Sequence, residues 1–226
     1  MFSPDEQRLV TDSENTFILW DTATGERLRS FPDTFGEFQS LPLSPDGRLL
    51  AYRTLYPADA PVTLWDVRLD RQVRTMAAPF IDFNGAFSST GQFLAAGGDE
   101  GPVMVWDVAT GKVVHALRGH TDYVRSLSFN SDDTRLTTAN NAGTTIVRDV
   151  QTGAALYSLP GGNTIETVQF SPDGRRLYVG DTDGTVRGYL VELADLVTLA
   201  RSRLTRTLTP EECREYLHVE ACPAGP

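Results

Sequence analysis

Gly98-Asp99-Glu100-Gly101-Pro102-Val103-Met104-Val105-Trp106-Asp107-Val108-Ala109-Thr110-Gly111 is the stretch that decides the fold. A tight turn leads into a strand of alternating side chains, the strand ends in Trp-Asp, and a second turn follows at Thr110-Gly111. The same arrangement stands at Phe17 to Gly25 and Val62 to Asp70, and in eroded form at Thr144 to Gly153 and Thr185 to Glu192. A supersecondary unit written repeatedly at a fixed period fixes the architecture before any single residue does.

A second landmark repeats beside it. Leu43-Ser44-Pro45-Asp46-Gly47 and Phe170-Ser171-Pro172-Asp173-Gly174 are matched by Phe2-Ser3-Pro4-Asp5 and, more weakly, by Ser88-Ser89-Thr90-Gly91 and Asn130-Ser131-Asp132-Asp133. Pro presets φ at the second position, Asp tolerates the next, and Gly takes the left-handed one. Each copy is therefore a hairpin between two strands. The residues before the turn, Phe2, Leu43, Phe87, Phe129 and Phe170, are 41, 44, 42 and 41 apart. The Trp positions, Trp20, Trp65, Trp106, Arg148 and Tyr189, are 45, 41, 42 and 41 apart. Two independent landmarks thus give one period.

Each period holds four short apolar runs between turns. In the cleanest copy they are Val124 to Phe129, Arg135 to Thr138, Thr145 to Val150 and Ala154 to Leu159. Runs this short, rich in Val, Ile, Leu and aromatics, are strands and not helices. A four-stranded meander buries its face only against the next copy.

The chain resembles the WD40-repeat family of β-propellers. Trp20-Asp21, Trp65-Asp66 and Trp106-Asp107 match the family's Trp-Asp dipeptide, and Gly119-His120 matches its Gly-His. The resemblance covers residues 2 to about 192. It implies an all-β propeller of about five blades, the first lacking its inner strand and the last its outer one. The expected domains are a propeller over residues 1–192 and a helical tail over 193–226. Five units could close a small ring. The more economical expectation is the C-terminal part of a larger propeller, whose open edges invite self-association.

The resemblance also implies a His, a Ser or Thr, an Asp and the Trp hydrogen-bonded across each blade. The set is poorly kept: the fourth unit has His120 and Thr138, but Asn141 and Arg148 stand at or near the Asp and Trp positions. The third has Asp99 and Trp106 without the His. Missing polar partners predict modest stability. Asp21, Asp66, Asp107 and Asp149 read as structural residues after the Trp strand.

After Val191 the period changes. Leu193, Leu196, Val197, Ala200 and Leu204 lie at helical spacing. Thr209-Pro210-Glu211-Glu212 is a second helix start, with Thr as N-cap and Glu reaching back. The tail resembles the C-termini of actinobacterial multidomain WD40 proteins that carry STAND-type ATPase or transcriptional-regulator modules. That resemblance implies a bacterial signalling protein.

Composition bounds the function. The chain has 226 residues and a formal net charge of −10. Such an acidic chain repels a phosphate backbone, so nucleic acid is not the expected partner. No apolar run approaches the ~20 residues of a membrane helix, and no signal peptide opens the chain, so the expected location is the cytoplasm. The two cysteines, Cys213 and Cys222, stay reduced or pair to staple the tail. Three scattered histidines and the lack of a nucleophile elbow, a phosphate-binding loop or a zinc motif predict no metal, no cofactor and no catalysis.

Propellers bind partners where the loops enter the inner strands. The resemblance points to two positions per blade: Glu37 and Gln39, Ile81 and Phe83, Tyr123 and Arg125, Thr164 and Glu166. Tyr and Arg anchor protein interfaces, so Tyr123 and Arg125 lead the candidate set, with Glu37, Gln39, Phe83 and Glu166 beside them; the alternatives are that Tyr123 covers a strand end and that Phe83 is buried. The alternative is a hydrolase or lyase with a channel site, for which the inner strands offer only Glu166.

Overall fold

The computed structural model describes residues 6–13, 16–32, 42–53, 59–69, 71–79, 83–99, 102–160 and 163–203. They form five antiparallel sheets in chain order and one helix. The first sheet has β1 (Arg8–Ser13), β2 (Thr16–Asp21) and β3 (Arg27–Pro32). The second has β4 (Leu49–Tyr52), β5 (Val62–Asp66) and β6 (Arg71–Met76). The third has β7 (Asn84–Phe87), β8 (Phe93–Gly97), β9 (Val103–Asp107) and β10 (Val113–Leu117). The fourth has β11 (Val124–Phe129), β12 (Arg135–Asn140), β13 (Thr144–Asp149) and β14 (Ala155–Pro160). The fifth has β15 (Ile165–Phe170), β16 (Arg176–Asp181) and β17 (Val186–Leu190). Helix α1 (Leu193–Arg203) follows, with Leu196 and Val197 exposed.

The sheets are the blades of a β-propeller, each a meander as the four-run period requires. Residues 33–41, which precede β4, lie outside the described residues; Leu43 is bridged to Leu50. The second tail helix, Cys213 and Cys222 also lie outside them. Two compact units divide the chain, Met1–Gly188 and Tyr189–Pro226.

Alternation along the strands gives every sheet a leading face, toward the sheet before it, and a trailing face, toward the sheet after it. Val10 and Leu19 on the trailing face of sheet one pack with Leu50 on the leading face of sheet two. Ala51, Val62, Leu64 and Met76 then meet Leu94, Ala96, Met104 and Trp106. Ala95, Val103 and Val105 meet Leu136 in the same way. The core is therefore a series of seams, one per sheet pair. Inner strands are also laced by side chains. Asn84 Nδ2 donates to the Val124 carbonyl at 3.1 Å, and Ser126 Oγ accepts from the Val168 amide at 3.0 Å.

The outer strand of each of the first four sheets carries a β-bulge. Leu28, Val73, Val114 and Leu156 are the unpaired residues, each eight positions after its Trp position. A bulge turns the following side chain to the opposite face. The next residues are Arg29, Arg74, His115 and Tyr157. Arg29 lies 5.0 Å from the Trp65 ring centroid in the next sheet. Arg74 donates to the carbonyls of Thr110 and Ala109 at 2.6 and 2.7 Å. His115 Nε2 is bonded to the Val150 carbonyl at 2.9 Å. The outer strand thus clasps the next sheet three times at one repeat position.

The clasped turns are shaped by the aspartates after the Trp position. Asp107 Oδ1 accepts from the Thr110 amide and hydroxyl at 2.8 and 2.6 Å, and Asp149 does the same with Thr152 at 2.7 and 2.7 Å. Asp21 caps Ala23 and Thr24, and Asp66 caps Arg68 and Leu69. Asp66 is fully buried and also accepts from Arg48 Nε at 2.7 Å. Burial alone would raise its carboxyl; these hydrogen bonds outweigh burial and hold it below the ordinary value.

Candidate functional site

The candidate surface is built where chain segments enter β11 and β15. A bulge at Arg125 in β11 and another at Glu166 in β15 interrupt the ladders to β12 and β16. Each turns one polar side chain out of the sheet while its neighbours, Val124 and Ile165, stay buried. Arg125 Nη1 and Glu166 Oε1 meet at 2.8 Å, 41 residues apart in the chain. Both side chains are well exposed, at 38% and 48%, so water screens the pair and it contributes under about 1 kcal/mol. A partner that displaces it therefore meets little resistance.

Tyr123 stands half-buried beside this pair. Its hydroxyl accepts from Asn84 Nδ2 at 2.9 Å, and its carbonyl accepts from the Asn141 amide at 3.0 Å. Its own amide donates to Asp122 Oδ1 at 2.7 Å. The ring is fixed from the preceding sheet and its backbone from the following hairpin. Asn84 was not among the sequence candidates. The signal was available: Asn84 and Ser126 each precede the turn-flanking Phe by three residues, and both lace inner strands.

Phe83, at the position equivalent to Arg125, is 4% exposed and belongs to the core between sheets two and three. Its ring folds over Gly85, where an added Cβ would sit 2.7 Å from Phe83 Cζ. The reading of Phe83 as a presented partner-binding residue is corrected accordingly: a glycine two residues on opens a seat, and the apolar ring takes it. Glu37 and Gln39 lie outside the described residues.

The His120 set differs from the sequence reading in one residue. His120 Nε2 is bonded to Thr138 Oγ1 at 2.7 Å. Asn140, and not Asn141, shapes the following turn: its carbonyl accepts from Gly143 at 3.1 Å and its Oδ1 from the Thr144 amide at 2.9 Å. Arg148 fills the Trp position as a buried cation, donating to the carbonyls of Arg118 and Gly153. Burial and the Arg148 charge together push the His120 imidazole down to about 4. Trp20 keeps the family's bond, with Nε1 donating to Thr11 Oγ1 at 2.7 Å.

Among the described residues no three His, Cys, Asp or Glu side chains come together as ligands for a metal ion. No described helix is long and apolar enough to cross a membrane. The inner-strand carboxylate, Glu166, is engaged by Arg125.

The family described as WD domain, G-beta repeat matches residues 111–149 and 153–189, the segments that carry β10 to β13 and β14 to β17. The chain is a WD40-repeat protein. It is similar to a guanine nucleotide-binding protein subunit beta of Oryza sativa subsp. indica, 30% identical over 210 residues, which cover 82% of this chain and 54% of the relative. It is similar to the WD repeat-containing protein SL1-17 of Schistosoma mansoni, 28% identical over 198 residues, covering 85% and 64%. The DENN domain and WD repeat-containing protein SCD1 of Arabidopsis thaliana is 32% identical over 136 residues, covering 57% of this chain and 11% of the relative. The WD40 chain thus spans between 11% and 64% of the length of these relatives.

Proposed function

We propose that this WD40 chain is a non-catalytic protein-binding module, with residues 1–192 as the binding part and residues 193–226 as a tail. The observation that carries the reading is the exposed Arg125–Glu166 pair beside Tyr123, whose ring is held by Asn84 and whose backbone is held by Asn141. A ring held in place loses little entropy when a partner covers it, and a screened ion pair can exchange one member for a partner's charge. The similarity to WD-repeat and G-protein β proteins supports a scaffold role. Reading the chain as part of a bacterial signalling protein rests on the tail resemblance alone, and the relatives named above are eukaryotic.

The test is affinity capture with the wild-type chain and with Tyr123→Ala plus Arg125→Ala, both shown to be folded by circular dichroism. Specific partners held by the wild type and lost by the double variant support the reading. Retention of every partner by the variant rejects this surface.

A further inference from the structure

The outer strands of sheets two and three carry charge and apolar surface that the repeat does not call for. Six places after the Trp position, sheets one to four have Glu26, Arg71, Lys112 and Ala154, so only sheets two and three have a cation there. Seven places after it, Arg27, Gln72 and Ala155 are polar or small, but sheet three has Val113, which is 50% exposed. The bulge residues Val73 and Val114 are 45% and 41% exposed. Sheets two and three each pack against a neighbour on both faces, so this rim is open for a reason other than a missing repeat.

The register brings these groups to one place, the outer mouth of the seam between the two sheets. Arg71 pairs with Asp66 and Arg74 with Leu64, so both lie on the trailing face of sheet two. Val113 pairs with Trp106 and lies on the leading face of sheet three, opposite them. Arg74 spans the gap: it donates to the Thr110 and Ala109 carbonyls, and Gly111, Lys112 and Val113 follow directly. The nearby carboxylates are already occupied. Asp66 is fully buried and held by the Arg68 and Leu69 amides and by Arg48, and Asp107 is held by Thr110. Among the described residues no ion pair engages Arg71, Arg74 or Lys112; Asp70 lies outside them. In a chain of net charge −10, the rim is a cationic and aliphatic island.

We propose that this rim docks an acidic, aliphatic-bearing segment of a partner protein. Its Asp or Glu side chains meet Arg71 and Lys112, and its Leu, Ile or Val side chains cover Val73 and Val113. Charge complementarity selects the occupant: the acidic remainder of the chain repels such a segment, and the rim attracts it. Exposed ion pairs contribute little singly, so burial of the aliphatic side chains supplies the rest. The bulges in β6 and β10 interrupt the edge that an added strand would pair with, so side chains make the contact. A membrane fits less well, because interfacial anchors are Trp and Tyr and the exposed apolar groups here are valines. This surface is separate from the one around Tyr123 and Arg125, so either assignment can fail without the other.

The test selects short random peptides from a display library on the wild-type chain, with counter-selection on Arg71→Glu plus Lys112→Glu. Both substituted residues are exposed, so circular dichroism should stay unchanged. The expected peptides intersperse Asp or Glu with Leu, Ile or Val. A synthetic copy of one, followed by fluorescence anisotropy, should bind the wild type and lose affinity on the order of tenfold or more in the double variant and in Val113→Asp. Arg175→Glu, which makes the same kind of charge change on the exposed hairpin turn of sheet five, should leave its affinity unchanged, as should Tyr123→Ala. Selection that yields no binder, or binders without acidic residues, overturns the proposal. So does a loss equal in Arg175→Glu, which would reduce the effect to net charge. Sedimentation with phosphatidylserine vesicles that Arg71→Glu plus Lys112→Glu abolishes would make the rim a lipid surface and overturn it as well.

Discussion

His120 is the residue where burial and charge act together. The folded protein holds its imidazole at about 4, against 6.5 in the unfolded chain. The neutral form is favoured on folding, so its stabilising effect is complete above the unfolded value and is lost as the pH falls from 6.5 toward 4. The loss is on the order of 3 kcal/mol. Thermal unfolding should show a fall in melting temperature across that window that His120→Gln flattens; an unchanged slope in the variant would sink the assignment. A second residue makes the opposite trade. Asp133 sits at φ +58 where the equivalent turns have Gly47, Gly91 and Gly174. Its carboxylate accepts from Ser89 N at 2.6 Å and from Thr90 N and Oγ1 at 3.0 and 2.5 Å, tying two hairpins 43 and 44 residues apart. Left-handed strain costs about 1–2 kcal/mol, while bonds to a charged acceptor contribute about 1.5–3 kcal/mol. Asp133→Gly should therefore lower the melting temperature by roughly 2–4 °C, and a gain would mean the strain dominates. The erosion of the turn motif in this unit, visible in the sequence as a missing Gly, was legible; the inter-sheet bonds that compensate were not, because they join segments far apart in the chain.

At the scale of the element, the outer-strand bulge decides the packing. Deleting Val114 restores an uninterrupted ladder and turns His115 away from Val150, so the clasp to sheet four is lost. Urea titration should place this deletion about 1–3 kcal/mol below wild type, while Val114→Ser stays within about 0.5 kcal/mol. A deletion no worse than the substitution would mean the bulge is incidental. The seat of the clasp is equally specific. An alanine at Gly111 is strained by φ +70 and its Cβ would lie 2.4 Å from Arg74 Cδ; Gly184, at φ +83, has nothing within 4 Å. Gly111→Ala should therefore be the more damaging of the two in a melting comparison. The strands themselves were readable, because alternation and turn chemistry are local signals: β11 was read at its observed bounds, and β12 to β14 within two residues. The bulges were not readable. An extra exposed aliphatic residue in an outer strand looks like ordinary alternation gone slightly wrong, and only the cross-strand register reveals it.

Across the whole molecule, burial is uneven. The third strands of sheets three and four are enclosed, and that of sheet five is not. Amide exchange should follow that order: protection should be high over Val103–Asp107 and Thr144–Asp149 and low over Val186–Leu190. Equal protection would mean that sheet five is covered in solution. The period predicted the number of sheets because two landmarks recur in phase. It could not predict how the binding surface is furnished, since Phe83, Arg125 and Glu166 occupy one repeat position and differ only through what lies beneath them. The clasp has one more implication. At Arg74 and His115 it runs from a residue nine places after the Trp position to the turn of the following unit, and at Arg29 from the same place to the following Trp, so each joint is specified by two local sequence features and not by the identity of the pair. A gene encoding such a protein could gain or lose a whole unit and inherit working joints on both sides, whereas a gain of half a unit would leave a donor with no acceptor. Length variation among proteins of this type should accordingly come in whole periods.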